Sequence, residues 1–217
     1  MPRRFAIALS LLAATAWPVA HAAPTFNGAT GGFFAPSALV VPADGFNLGG
    51  NAVFLGPNVA ASLHGAFGLG GLAEMGVGAY LPGRYGVFAK FVLLAPGGGR
   101  PGIALGGDLR FGSAPVGGDA YLVVTLPITQ VNLLVTGGIQ VNFGPEAGAA
   151  DIAVGPVLGA EWVIASTVRL VVDYDSRDLG AGVRWAPLGP LRLDFGLAAP
   201  RVSEVGVFVG ISLNTTF

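Results

Sequence analysis

The sequence predicts a single all-β domain, a single antiparallel up-and-down transmembrane β-barrel, most simply of 12 strands with 10 or 14 as alternatives. Three observations point there. Short segments of strict two-residue period follow one another from residue 46 to the C-terminus, and in those after Val59 one of the two alternating sets of positions holds no charged residue. The chain is 53% hydrophobic with only 11% charged residues, against roughly a quarter charged in an average soluble domain. Yet beyond its first twenty residues no stretch approaches the roughly 18 uninterrupted apolar residues of a spanning helix. In lipid only a helix or a closed barrel satisfies every backbone group, so a chain with apolar residues spread this thinly points to the barrel.

The N-terminus reads as a secretory leader, residues 1–22: Arg3 and Arg4, an apolar core from Phe5 to Trp17, then Ala20-His21-Ala22 as a small-x-small cleavage site. Cleavage is expected after Ala22. Two of the 11 basic residues leave with the leader against 12 acidic ones, so the mature chain is mildly acidic and gives no sign of binding nucleic acid. The chain has no cysteine, which excludes disulfides, thiol catalysis and a lipid-modified N-terminal Cys. Residues 23–45 precede the first alternating segment and are expected to form a plug, a periplasmic extension or an extra strand.

The barrel is expected over 46–217, with strands near 46–54, 59–68, 72–81, 86–94, 102–111, 119–127, 131–143, 151–164, 168–175, 178–186, 191–198 and 205–217. Turn-forming clusters separate them, among them Leu81-Pro82-Gly83-Arg84, Ala95-Pro96-Gly97, Ser113-Ala114-Pro115, Gly144-Pro145-Glu146 and Pro187-Leu188-Gly189-Pro190. An even count puts both ends on the periplasmic side. The last strand sets Val205, Val207, Val209, Ile211, Leu213, Thr215 and Phe217 on one face. Phe217, Leu213 and Ile211 are the expected assembly signal, read by the barrel-assembly machinery after the secretion machinery has exported the chain. With this polarity, Trp162, Trp185 and Phe217 fall at periplasmic strand ends, and Tyr85, Phe111, Phe143 and Tyr174 at extracellular ones, as two interfacial girdles.

Alternation alone does not distinguish a lipid-facing barrel from a soluble one. The chemistry of the two faces does. In 131–143, Val131, Leu133, Val135, Ile139, Val141 and Phe143 oppose Asn132, Thr136, Gln140 and Asn142. The candidate site is therefore the charge set on the inward face: Glu74, Lys90, Asp108, Arg110, Glu161, Arg169, Asp173, Asp175, Asp178, Arg184, Arg192 and Asp194, together with Asp119. A tight turn at Ser176-Arg177 would place Asp175 against Asp178 and Arg169 against Arg184. If Trp185 pairs with Leu191, Arg184 also faces Arg192, a row of guanidiniums that needs Glu161, Asp194 and, from the far wall, Glu74. Such a network would brace the barrel and bias the charge of whatever crosses it; the simpler reading is a polar lining that keeps the lumen wet.

Catalysis is not expected. The mature chain has one histidine, His64, on the face that carries Ser62, and no Gly-x-Ser-x-Gly elbow. Neither a metal motif nor a cofactor motif is present.

Asn27-Gly28-Ala29-Thr30-Gly31-Gly32-Phe33-Phe34-Ala35-Pro36-Ser37-Ala38, just after the leader, contains a Gly-x-x-Gly-hydrophobic pair followed by Pro-Ser-Ala. Further on come Val171-Val172-Asp173-Tyr174-Asp175 and Gly180-x-Gly182-x-Arg184-Trp185. Together these resemble YjbH-like outer-membrane proteins, although this chain is shorter than the large members, has Asp173 where Glu is expected and Leu179 where Asn is usual. The resemblance implies a link to exopolysaccharide secretion. The expected function is a narrow pore or export-associated channel of a Gram-negative-type outer membrane, monomeric, with outer-membrane lipid and envelope polysaccharide as partners. A structural or accessory barrel with a closed lumen is the alternative, followed by a soluble secreted β-barrel binding protein.

Overall fold

The computed structural model describes residues 24–216 apart from Thr30 and Ala149; the expected leader, residues 1–22, and Phe217 lie outside the described residues. Twelve antiparallel strands close into one barrel, each bonded to its sequence neighbours and the last to the first. They are β1 (Gly45–Leu55), β2 (Asn58–Leu69), β3 (Ala73–Leu81), β4 (Arg84–Leu94), β5 (Gly102–Gly112), β6 (Gly117–Ile128), β7 (Leu133–Phe143), β8 (Ile152–Ala165), β9 (Val168–Asp175), β10 (Leu179–Leu188), β11 (Leu191–Ala199) and β12 (Gly206–Thr216). Closure runs from Gly45↔Thr216 to Phe54↔Val207. It leaves no open strand edge, the condition for a sheet in hydrocarbon. Among the described residues no helix is long and apolar enough to cross a membrane.

The two faces separate as their chemistry requires. Leu48, Leu63, Phe67, Val77, Phe91, Ile139 and Phe195 are exposed on the outside. In the same strands Asn51, His64, Lys90, Gln140 and Asp194 are buried on the inside. Trp162, Trp185, Tyr85 and Phe111 are exposed at the strand ends expected for them. The connections are short because consecutive strands are hairpins. At the β2–β3 turn Gly70 and Gly71 both take positive φ (58° and 69°), a conformation open to glycine without steric cost.

One register differs from expectation. Trp185 pairs with Leu193, not Leu191, so Arg184 lies opposite Asp194 and not Arg192. The reason is that β10 runs on through Pro187 to Leu188↔Leu191, with a bulge between Trp185 and Leu188. Pro187 offers no N–H to a ladder, so the strand passes it only by breaking step. The chain then reverses at Gly189-Pro190, a tighter turn than the four-residue cluster suggests.

The described residues of 24–41 lie inside the barrel. Phe33, Phe34, Ala35, Ala38 and Val41 are buried there. They complete three apolar clusters with inward wall residues: Ala35 and Ala38 with Val92, Ala104, Tyr121, Val123 and Val157; Phe33 and Phe34 with Val53, Val171, Ala198 and Phe208; Ala29 and Val41 with Ala66 and Phe88. The lumen of a barrel this size is thus packed like a core where the segment passes.

Candidate functional site

The inner segment has no regular secondary structure, so its main-chain groups need partners other than a ladder. Wall side chains supply them. Asn51 of β1 donates to Thr25 O (3.3 Å) and the Tyr80 hydroxyl of β3 donates to Asn27 O (2.9 Å). Arg184 of β10 donates to Gly31 O (2.9 Å) and Gly32 O (3.0 Å). The carboxylate of Asp173 in β9 accepts from Phe34 N (2.9 Å) and Ala35 N (3.1 Å). Thr125 of β6 accepts from Ala38 N (2.8 Å), and Glu74 of β3 from Val41 N (2.9 Å). Six wall residues on five strands therefore hold the segment by its backbone from one mouth to the other.

The wall is hollowed where the segment passes. A Cβ on Gly68 would stand 1.9 Å from Pro42 O, so the segment approaches that strand to a distance only glycine permits. The internal spaces beside the segment are small. One of about 10 Å³ lies among Thr25, Ala29, Phe34 and the wall residues Phe88, Asp108 and Gln140, and another of about 10 Å³ among Gly32, Ser37, Thr136 and Glu161. Each is about the size of one water. Larger cavities sit at the mouths: about 490 Å³ at the β1 N-terminal end, lined by Leu39, Val40, Pro96 and Pro127, and about 280 Å³ at the other, lined by Glu146, Tyr174, Arg177 and Arg201.

The inward charges expected from the sequence fall into separate groups rather than one network. Glu161, Arg169, Arg184 and Asp194 form the first. Arg184 Nε meets Asp194 at 3.0 Å and its Nη1 meets Glu161 at 3.6 Å, while Arg169 meets Glu161 at 3.3 Å. Arg192 donates to Gly189 O and Leu191 O at the adjoining turn. Glu74 does not serve the arginines as expected; it pairs with Lys90 at 3.0 Å across β3 and β4. Asp175 and Asp178 shape a turn: Asp175 accepts from Arg177 N (3.2 Å) and Asp178 N (2.8 Å), and Asp178 accepts from Arg201 N (2.8 Å).

The remaining group lies at the mouth opposite the β1 N-terminus, and half of it escaped the sequence reading. Arg110 bonds Asp108 (2.7 Å) and Asp119 (3.1 Å). Over it the 3-10 turn Gly144–Ala147 brings down Glu146, which also takes Arg84 and Arg177 (2.6 Å), with Arg110 at 3.2 Å. Burial would raise the Glu146 carboxyl, but the three guanidiniums outweigh it and hold its pKa down at about 2. The Arg177 guanidinium is disfavoured by burial yet pushed above its ordinary range by Asp178, Asp175 and Glu146. Glu146, Arg84 and Arg177 sit in or beside the turn clusters, and treating those as punctuation hid them. The signal available was a lone acid in Gly144-Pro145-Glu146 in a chain that spends few charges.

His64 is buried opposite Gly49 and Gly78, and neither imidazole nitrogen has a hydrogen-bond partner. The Ser62 hydroxyl is likewise unpartnered. No nucleophile–base hydrogen bond joins them. Among the described residues no cluster of His, Asp and Glu is arranged to hold a metal ion.

Neither a known protein family nor a curated protein matches the sequence. Solved structures do match the fold. The KdgM porin is similar with a TM-score of 0.60 at 12% identity, covering 77% of this chain and 98% of its own. The NanC porin follows at 0.56 and 11%, with coverage of 77% and 98%. The outer membrane protein Omp33 of Acinetobacter baumannii reaches 0.53 at 9%, with coverage of 78% and 97%. At these identities the likeness concerns architecture. Charge-free outer face, aromatic girdles, closed strand order and these neighbours together make the chain a porin-like β-barrel of the Gram-negative outer membrane.

Proposed function

We propose that this protein is a narrow, non-enzymatic outer-membrane pore held shut by its own residues 24–41. One observation carries the reading: the segment is fixed in the lumen by its backbone, through side chains of five strands, and leaves spaces of only about 10 Å³ beside it between two open mouths. A wall built for bracing alone would fill its lumen with side chains, as eight-stranded barrels do. Here a separate piece of chain fills it. Solute passes when that piece moves, and the inward charges Glu161, Arg169, Arg184, Arg192 and Asp194 bias which ions follow.

The KdgM porin has also been solved with oligogalacturonate. That precedent and the sequence resemblance support an envelope saccharide as the solute. Monomeric insertion, outer-membrane lipid around the belt, and recognition of Ile211, Leu213 and Phe217 during assembly belong to the same proposal. Planar-bilayer recording tests it. The native chain is expected to be nearly silent, and Asp173→Ala with Arg184→Gln to conduct. A variant that folds and stays silent would favour the second reading, an accessory barrel closed for good, which the same filled lumen supports.

A further inference from the structure

The two sequence motifs that stand out from the strand pattern meet in space. Gly31 to Ala35 of the first lies on Asp173 and Arg184 of the second, across 138 to 153 residues of chain. We propose that the second motif and its neighbours form a peptide-binding socket for an uncharged Gly-Gly-aromatic-aromatic turn, filled in cis by residues 31–35 and open to the same chemistry offered in trans. The proposal rests on reading residues 24–41 as a displaceable occupant.

The socket has three parts. The first fixes the turn's backbone. Gly31 bridges Pro36 and Gly32 N donates to Ala35 O (2.9 Å), so Phe33 and Phe34 stand at the tip of a two-residue reversal. Arg184 holds the two carbonyls before the tip, and Asp173 the two amides at and after it. A cation on carbonyls and an anion on amides form the charge-assisted hydrogen bonds, about twice as strong as neutral ones.

The second part reads the aromatic tip. Phe33 is fully buried, its ring centroid 4.9 Å from that of Phe208 and 5.7 Å from the Arg184 guanidinium carbon. Phe34 packs edge-on to Phe208 at 5.8 Å. Val53, Val171 and Ala198 close the pocket. Ring pairs at these separations and tilts contribute beyond their buried area.

The third part excludes side chains. A Cβ on Gly32 would come within 2.0 Å of the Asp173 carboxylate, and one on wall residue Gly180 within 2.9 Å of the Phe34 ring. Occupant and wall are thus both trimmed at their contact. An acidic residue in the turn would find no free counter-ion, since Arg184 is engaged by Asp194 and Glu161. A saccharide offers hydroxyls to Asp173 and Arg184 but no aromatic ring to pair with Phe208.

The test uses the full-length chain with Phe33→Ser and Phe34→Ser, which spoils the cis tip and leaves the wall intact. A fluorescent peptide of residues 24–41 is expected to bind this variant in detergent at least tenfold more tightly than it binds the native chain. N-methylating the peptide at the amides of Phe34 and Ala35, or changing its own two Phe to Ser, is expected to cost tenfold or more. Equal binding to variant and native chain, or indifference to both peptide changes, overturns the socket. Should the variant fail to refold, heat-modifiable gel migration replaces the binding curve: native peptide added during refolding is expected to restore the barrel band and the N-methylated peptide not to, and rescue by neither overturns the proposal. Conductance is read separately. A barrel that binds the peptide but never conducts would end the pore reading and keep the socket.

Discussion

Two buried clusters use the same chemistry to different ends. At the mouth, Glu146 joins Arg84, Arg110 and Arg177, and Arg110 is further held by Asp108 and Asp119. There charge meets charge, side chain to side chain. Deeper in the lumen Asp173 and Arg184 turn toward main-chain amides and carbonyls of the inner segment. The mouth cluster neutralises itself and ties one loop to three other parts of the rim. In the deep pair Arg184 is also held by Asp194 and Glu161, but Asp173 turns its charge on an irregular piece of chain, and its satisfaction depends on that piece staying. A closed ion-pair cluster makes a fastening of the wall, while ions spent on backbone make a clamp on a ligand.

The largest effect should come from breaking the clamp. Asp173→Ala leaves two buried amides without an acceptor and Arg184→Gln weakens the hold on two carbonyls; together they are expected to raise bilayer conductance at least tenfold while heat-modifiable migration shows a folded barrel. Next is the pair that fixes the end of the segment to the wall. Lys90→Met leaves Glu74 buried at the Val41 amide without its cation, a change that costs about 3–5 kcal/mol when one partner of a buried pair is removed, read as a lower midpoint in urea unfolding from lipid vesicles.

The mouth should respond more weakly. Glu146→Gln is expected to destabilise by roughly 1–3 kcal/mol, the cost of leaving buried donors poorly matched, with conductance of the native, occupied lumen unchanged. A large rise in current from this change would erase the distinction between fastening and clamp. Acid should act on the mouth in a defined window. The Glu146 pKa in the folded chain is about 2, below its ordinary 4.5, so its contribution is complete above about 4.5 and is lost as pH falls toward 2. Unfolding followed between those values should show Glu146→Gln converging on the native chain at the acid end. The smallest effect is expected from Arg169→Gln added to Asp173→Ala alone, which removes one partner of Glu161 but leaves Arg184 beside it, and should shift ion selectivity slightly toward cations.

Much of this architecture was legible along the chain because strands and turns are local. Alternation in 131–143 separates the outward Val135 and Ile139 from the inward Thr136 and Gln140, and the Pro and Gly clusters mark the reversals. The same alternation places Glu161, Asp173, Arg184 and Asp194 inside without any knowledge of their partners. Partners are another matter. Arg184 looked set to face Arg192 until the bulge before Leu188 shifted the ladder and put Asp194 opposite it. Glu146 had no period to announce it, because a turn has none.

The sequence by itself determined the run of hairpin-connected strands, the face each residue takes and the membrane that the outer face requires, since a two-residue period and a turn signal each need only a few consecutive residues. Only the tertiary structure decided which charges pair, and that residues 24–41 enter the lumen with Gly31–Ala35 seated on Asp173 and Arg184. Those outcomes depend on cross-strand register and on main-chain groups that find their acceptors some 140 residues away, where no local pattern reaches.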